Sequence, residues 1–179
     1  NIKEIVEETR FRPVSCILLD LGFSSWHIGG SGRGFTFLKD EPLDMRYSLK
    51  NDVTAEKIIN EWPEKEIERI LREFGEEKFS RQIARKIAVR RKTQQIKSTF
   101  DLVDIIASAV LGKFHHGKIH FATRTFQAIR IAVNEELTVL EKVLPDLIPY
   151  LAPGGILAVI SFHSLEDRIV KHTFKKLAE

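Results

Sequence analysis

Cysteine is almost missing: Cys16 is the only one among 179 residues, so no disulfide can close within the chain. A disulfide-stapled scaffold is thereby excluded and a cytoplasmic setting is favoured, with Cys16 expected as a small core residue inside an apolar run. Long apolar runs are lacking too. Nothing approaches the roughly 20 residues that a membrane helix needs, and no secretory signal pattern is evident, so no membrane partner is expected. A phosphate-binding loop of Walker type is also absent, which disfavours a nucleotide-using α/β enzyme. What is there is ordinary for a globular protein: 43% hydrophobic and 30% charged residues, enough for one domain or for one domain interrupted by a smaller one.

The net charge of +3 is modest, but its distribution is uneven. From Arg81 to Lys97 the chain carries Arg81, Arg85, Lys86, Arg90, Arg91, Lys92 and Lys97 without an acidic residue, and Ile105 to Asn134, which includes Arg124, is again free of Asp and Glu. Acidic residues gather between Glu61 and Glu77. Such segregation suits a polyanionic partner, because a stripe of Lys and Arg gains affinity by releasing condensed counterions; the alternative is a solvated helix face.

Two apolar runs read as parallel-type strands. Val14-Ser-Cys-Ile-Leu-Leu19 ends in Asp20, followed by Gly22 and the pair Ser24-Ser25. The second, Ile156 to Ile160, follows Pro153-Gly154-Gly155 and runs into Ser161, Phe162 and His163, after which Ser164-Leu-Glu-Asp167 reads as the capping box of a helix. Polar residues are thus left at the carboxyl ends of two strands, where open α/β sheets place their ligands.

More than a hundred residues of mostly helical pattern separate the two runs, which favours an inserted subdomain over a long loop. Four short amphipathic helices are expected. The first follows a cap at Asp52 or Thr54, the second is stopped by Gly75, the third sets Phe79, Ile83, Ala84, Ile87 and Ala88 opposite the basic stripe, and the fourth is capped by Ser98. A longer helix is expected from about Thr125 through Leu144, ending before Pro149. Before these, Gly29-Gly-Ser-Gly-Arg-Gly34 lacks the strand-before, helix-after context of a dinucleotide loop, and Phe35 to Arg46 suits an irregular segment packed over a core edge or a ligand mouth. His116 and His120 have i, i+4 spacing and stand with His115 in a basic linker, but no Cys or carboxylate lies nearby to complete a metal site, so no metal ligand is assigned.

Six segments occur in order: Asp20-Leu-Gly-Phe-Ser-Ser25, Arg33-Gly-Phe-Thr-Phe37, Pro42-Leu-Asp-Met-Arg46, Gly75-Glu-Glu-Lys78, Ala122-Thr-Arg-Thr-Phe-Gln-Ala-Ile-Arg-Ile-Ala-Val-Asn134 and Ser161-Phe-His-Ser-Leu-Glu-Asp-Arg168. Together they resemble the ribosomal RNA cytosine-N4 methyltransferases, the MraW/RsmH family. The resemblance implies an α/β fold: part of a class I, Rossmann-like methyltransferase sheet with an inserted all-α subdomain. Residues 1–48 and 121–179 would belong to the methyltransferase core and 49–120 to a helical, RNA-binding insertion. It implies S-adenosylmethionine as cofactor and methylation of a cytidine at the decoding site of small-subunit ribosomal RNA, in the free RNA or the subunit. In that family the glycine-rich cofactor loop and the acidic ribose ligand lie upstream of the Asp-Leu-Gly strand. Nothing before Val14 matches either, so the chain is expected to be a fragment that lacks that half and the final hairpin.

Asp20 and His27 fall where the family places cofactor contacts, although the family more often has Pro-Gln where this chain has Trp26-His27. The chemistry gives these groups independent sense. A cytosine amine is a poor nucleophile because its lone pair is delocalised into the ring, so acceptors must hold its N–H groups and aim the lone pair at the methyl donor. Asp20 with Ser24 or Ser25 on one strand end, and Ser161 with His163 on its neighbour, can frame such a pocket, with Phe162 or Phe23 stacking on a flipped base. From spacing alone, Asp20 and Ser161 equally finish turns; the resemblance assigns Asp20, Ser161 and His163 to catalysis. Arg85, Arg90, Arg91, Lys92 and Arg124 are the expected RNA contacts, and a non-catalytic RNA-binding helical module is the alternative reading.

Overall fold

Two apolar runs far apart in sequence pair as neighbours: β1 (Val14–Asp20) and β2 (Leu151–Ile160) run parallel, in a register that continues from Cys16 opposite Ile156 to Asp20 opposite Ile160. The computed structural model describes residues 2–9, 13–112 and 119–178. Along the chain the described helices are α1 (Ile2–Thr9), α2 (Ser25–Gly29), α3 (Ala55–Glu61), α4 (Glu64–Gly75), α5 (Ser80–Arg90), α6 (Thr99–Ala109), α7 (Thr123–Asn134), α8 (Glu136–Leu147) and α9 (Ser164–Ala178). The fold is mixed α/β, as expected. Two compact units are present, Asn1–Phe23 with Glu136–Glu179, and Ser24–Glu135.

The strand-bearing unit has a small core of Ile17, Leu147 and Tyr150, onto which Ile2, Val6, Leu19 and Leu157 pack. Strand side chains alternate between faces, so Ile17 turns inward while Cys16 is exposed and Leu18 keeps 61% of its surface. The expectation of a core cysteine fails for that reason: among the described residues only one face of β1 is covered. The second strand also begins earlier than expected. The Pro-Gly-Gly segment lies inside β2 and bulges, since Val14 pairs with Leu151 and Cys16 with Ile156, and Gly154 at φ +77 takes the left-handed turn this requires.

The helical unit matches the expected amphipathic pattern. Ile58, Ile59, Ile67, Ile70, Leu71, Ile83, Ile87, Leu102 and Ile106 form one core, with Phe35, Leu43 and Met45 of the irregular segment buried in it, so that segment packs over the core. Truncating one such Ile or Leu to Ala costs about 2–5 kcal/mol. Thr54, and not Asp52, caps α3 by accepting from Lys57 N, and Ser98 and Asp101 cap α6 reciprocally. This compact unit takes in chain on both sides of residues 49–120, because Phe35 to Met45 and α7 share its core.

Two local expectations fail. Gly75 is the last residue of α4, and it is Glu76 that adopts the left-handed conformation at φ 47. Gly75 is needed for close approach instead: a Cβ there would lie 2.6 Å from the Arg124 carbonyl oxygen and 3.1 Å from Ala128 Cβ on α7. The single long helix from Thr125 is broken at Glu135, whose φ of 50 ends α7 where the chain passes from one unit to the other. Apolar periodicity continues across the break and so conceals it.

Candidate functional site

At the carboxyl ends of the strands the backbone does most of the positioning. Asp20 pairs with Ile160, and Leu21 N donates to Ile160 O at 3.1 Å, so the residues that follow each strand emerge side by side. Asp20 is exposed there and Ser161 half-buried. Phe162 packs one edge of its ring over Gly22, whose Cβ position lies 3.5 Å from Phe162 Cδ2, while 68% of Phe162 stays open to solvent. An aromatic ring held by one edge and open elsewhere is suited to stacking.

The helix start is displaced by one residue from the expected capping box. Asp167 N donates to His163 O at 3.2 Å, and His163 Nδ1 accepts from Glu166 N at 3.4 Å, so His163 takes the cap position and Ser164 is the first residue of α9. Glu166 reaches back and accepts from Phe162 N at 2.8 Å. Burial alone would raise the Glu166 carboxyl, but the His163 imidazole and the Phe162 amide together hold it below the usual carboxylate value. His163 is therefore fixed by its own helix. Glu136, the first residue of α8, brings a third donor to the same place, with one ligand-type atom from each of Glu136, His163 and Glu166 within 4.8 Å of the others. Sequence reasoning missed this group, because Glu166 was only an intervening position of the expected Ser164–Asp167 capping box and no spacing rule connects Glu136 to a turn so far downstream.

In the helical unit, His27 sits in a nest of aromatic edges. Its ring centroid lies 5.0 Å from that of Phe35, 5.4 Å from Tyr47 and 5.3 Å from Trp26, all edge-on, while Phe35 and Tyr47 stack. The Arg33 guanidinium lies over Trp26 at 5.4 Å and Phe35 at 5.6 Å. Burial and then the charge of Arg33 lower the His27 pKa against an opposing pull from the Ser24 backbone. His27 Nδ1 accepts from Ser24 N at 3.2 Å, which leaves hydrogen on Nε2 of the neutral ring. In its neutral form His27 thus presents an N–H donor at Nε2.

The motifs around Arg33 and Arg46 hold this nest. Arg46 makes a bidentate pair with Asp44 at 2.8 and 2.9 Å, and Arg33 Nη1 donates to Arg46 O at 2.8 Å. Burial by itself would raise the Asp44 carboxyl, yet the bonds from Arg46 hold it below its usual value. Asn134 clamps the loop, accepting from Tyr47 N at 2.7 Å and donating to Met45 O at 2.8 Å, and so secures Met45 at its unusual φ of 60.

The basic face separates into two kinds of residue. Arg85, Arg90 and Lys92 are exposed on or just beyond α5. Arg91 instead turns inward and donates to the Ile59 and Trp62 carbonyls at 2.9 and 2.7 Å, and Arg124 donates to Glu76 O at 2.7 Å, so both brace helix ends. His120 stacks on Phe37 at 4.5 Å, and its Nδ1 accepts from Ala122 N. His115 and His116 lie outside the described residues. Among the described residues no helix is long and apolar enough to cross a membrane.

The model of the MraW methylase family matches residues 1–179. A Heliobacterium modesticaldum protein named ribosomal RNA small subunit methyltransferase H is 53% identical over 162 residues, which is 90% of this chain and 52% of that protein. Proteins of the same name from Clostridium botulinum (strain Kyoto / Type A2) and Heliobacterium mobile are 47% and 53% identical over 99% and 100% of the chain, and over 57% and 58% of their own lengths. The chain spans a little over half the length of these relatives, and with its whole extent matched it belongs to the MraW methylase family.

Proposed function

We propose that this chain carries the target-facing part of an S-adenosylmethionine-dependent enzyme that methylates N4 of a cytidine at the decoding site of small-subunit ribosomal RNA in the cytoplasm. The observation that carries the reading is the parallel register of β1 and β2, which brings Asp20 beside the turn of Ser161 to His163 at the strand ends. S-adenosylmethionine supplies an electrophilic methyl group. The chain's own groups fit such a ligand and its acceptor: Asp20 offers an exposed carboxylate, and His27 a neutral N–H in its aromatic nest. Asp20 and His27, each within its own unit, offer separate contacts to the cofactor. Asp20 and Ser161 accept from the cytosine amine, Phe162 stacks on the base, and His163, whose Nδ1 caps the start of α9, positions the turn that carries Ser161 and Phe162.

Methyl transfer, assayed on the chain extended to the full length of its relatives, with digestion of the RNA and mass analysis, should yield N4-methylcytidine. A methyl group on another atom would overturn the reading. The exposed row on α5 favours a second, non-catalytic element within the same function, in which Arg85, Arg90 and Lys92 bind RNA phosphates while Arg91 and Arg124 support the helices that carry them. Charge reversal at Arg85, Arg90 and Lys92 is expected to weaken RNA binding without unfolding, and to flatten the slope of log K against log salt by about one unit for each phosphate no longer neutralised. Arg91→Ala should instead lower the midpoint of urea unfolding. A salt slope unchanged by the three reversals would return the row to a solvated face.

A further inference from the structure

We infer that Glu136, His163 and Glu166 form a binding site for a divalent metal ion of the zinc class, independently of whether the chain takes part in methyl transfer. Three elements converge to make it: the first turn of α8, the turn after β2 and the first turn of α9. One donor atom from each residue lies within 4.8 Å of the other two. Bonds of about 2.0–2.2 Å to nitrogen and oxygen place such donors around one ion after only small side-chain rotations.

The donors are prepared for this. Glu166 is nearly buried, with 5% of its side chain exposed, and Oε2 already accepts from Phe162 N, which aims Oε1 at the imidazole. His163 Nε2 is shielded from solvent and makes no hydrogen bond, although it lies 3.3 Å from Glu166 Oε1. That contact misses hydrogen-bond geometry, and a coordination bond would pair the buried ring nitrogen more completely. Both glutamates stand in the first turns of their helices, α8 and α9.

The donor set also selects the class of ion. One imidazole with two carboxylates is too nitrogen-rich for magnesium or calcium and contains no thiolate for copper(I). Three protein ligands leave a tetrahedral ion one open position for water or another oxygen ligand. Binding at Nε2 places the ring hydrogen on Nδ1, at the expense of the long 3.4 Å bond from Glu166 N.

The test uses the 179-residue chain, freed of metal with chelator and titrated with zinc and with cobalt(II). One equivalent should bind, with a dissociation constant of about 10 μM or tighter. His163→Ala and Glu136→Gln should each weaken binding at least ~10-fold, whereas His120→Ala should not change it. Wild-type NMR gives a readout that depends on no variant: cobalt(II) should shift the His163 ring protons most strongly at one equivalent. Failure of the wild-type chain to take up an equivalent overturns the site, as does unchanged affinity in both ligand variants. Histidine ring protons that stay in place, or a strongest shift at another histidine, overturn it as well. Methylation activity enters none of these readouts, so the two proposals stand or fall separately.

Discussion

Gly75→Ala and Gly34→Ala are each expected to destabilise the helical unit by about 3 kcal/mol, a large fraction of the stability of a domain this size. Alanine is ordinarily the better helix former by about 1 kcal/mol, so at Gly75 local propensity argues for stabilisation. Excluded volume decides against it. The added methyl would meet the Arg124 carbonyl at 2.6 Å and Ala128 Cβ at 3.1 Å, and both belong to a packed helix that can yield only by moving away as a unit. At Gly34 two penalties combine: φ is +76, and a Cβ would collide with the Pro42 carbonyl oxygen while standing 3.2 Å from Thr99 Cγ2. Gly34 N is bonded to Glu41 at 2.8 Å, and Leu43 N to Lys97 O at 3.1 Å, so the loop has little freedom to retreat. Urea unfolding at constant m-value measures both effects, with Gly112→Ala as the control because nothing lies within 4 Å of its Cβ position. Midpoints equal to the control would show that the helices and the loop tolerate separation.

The largest functional effect is expected at Asp20. In the full-length polypeptide, Asp20→Ala should slow single-turnover methylation of small-subunit RNA by at least ~100-fold, the scale seen when a positioned polar group is taken from a reacting centre. The fold should survive, because Asp20 is exposed and the register of β1 is set by backbone bonds and by Ile17. Asp20→Asn keeps the shape and one acceptor oxygen, and should lose less. His163→Ala should lower turnover more than RNA affinity, since the imidazole is held at the helix start by Glu166 and acts on geometry. Near-normal rates in Asp20→Ala and His163→Ala would remove both residues from the reaction.

What was legible in the sequence follows from local rules. The Ser98 cap, the α4 and α5 stripes and the two strand ends each rest on side chains within a few residues of one another, and the structure contains them where the pattern put them. The six ordered motifs also carried the family, which the match over residues 1–179 establishes. Periodicity reports which face is apolar, but not what that face meets. It therefore placed Cys16 in a core that covers only the opposite side of β1, and it ran one helix through the left-handed Glu135.

Tertiary structure decided the rest, because the relevant distances join residues remote in sequence. Arg85 and Arg91 look alike in a basic stripe, yet Arg91 is committed to the Ile59 and Trp62 carbonyls across the helical core. Gly75 looked like a helix stop and proved to be a place where α7 comes close. Glu136 joined His163 and Glu166 only when the starts of α8 and α9 came together. By itself the sequence determined the amphipathic stripes, the Ser98 cap, the strand ends and the family, since those depend on neighbouring residues and on ordered motifs. Which charges face solvent, which glycine must stay small and which donors share one point were decided by packing, because excluded volume and hydrogen-bond reach act through space, whatever the separation along the chain.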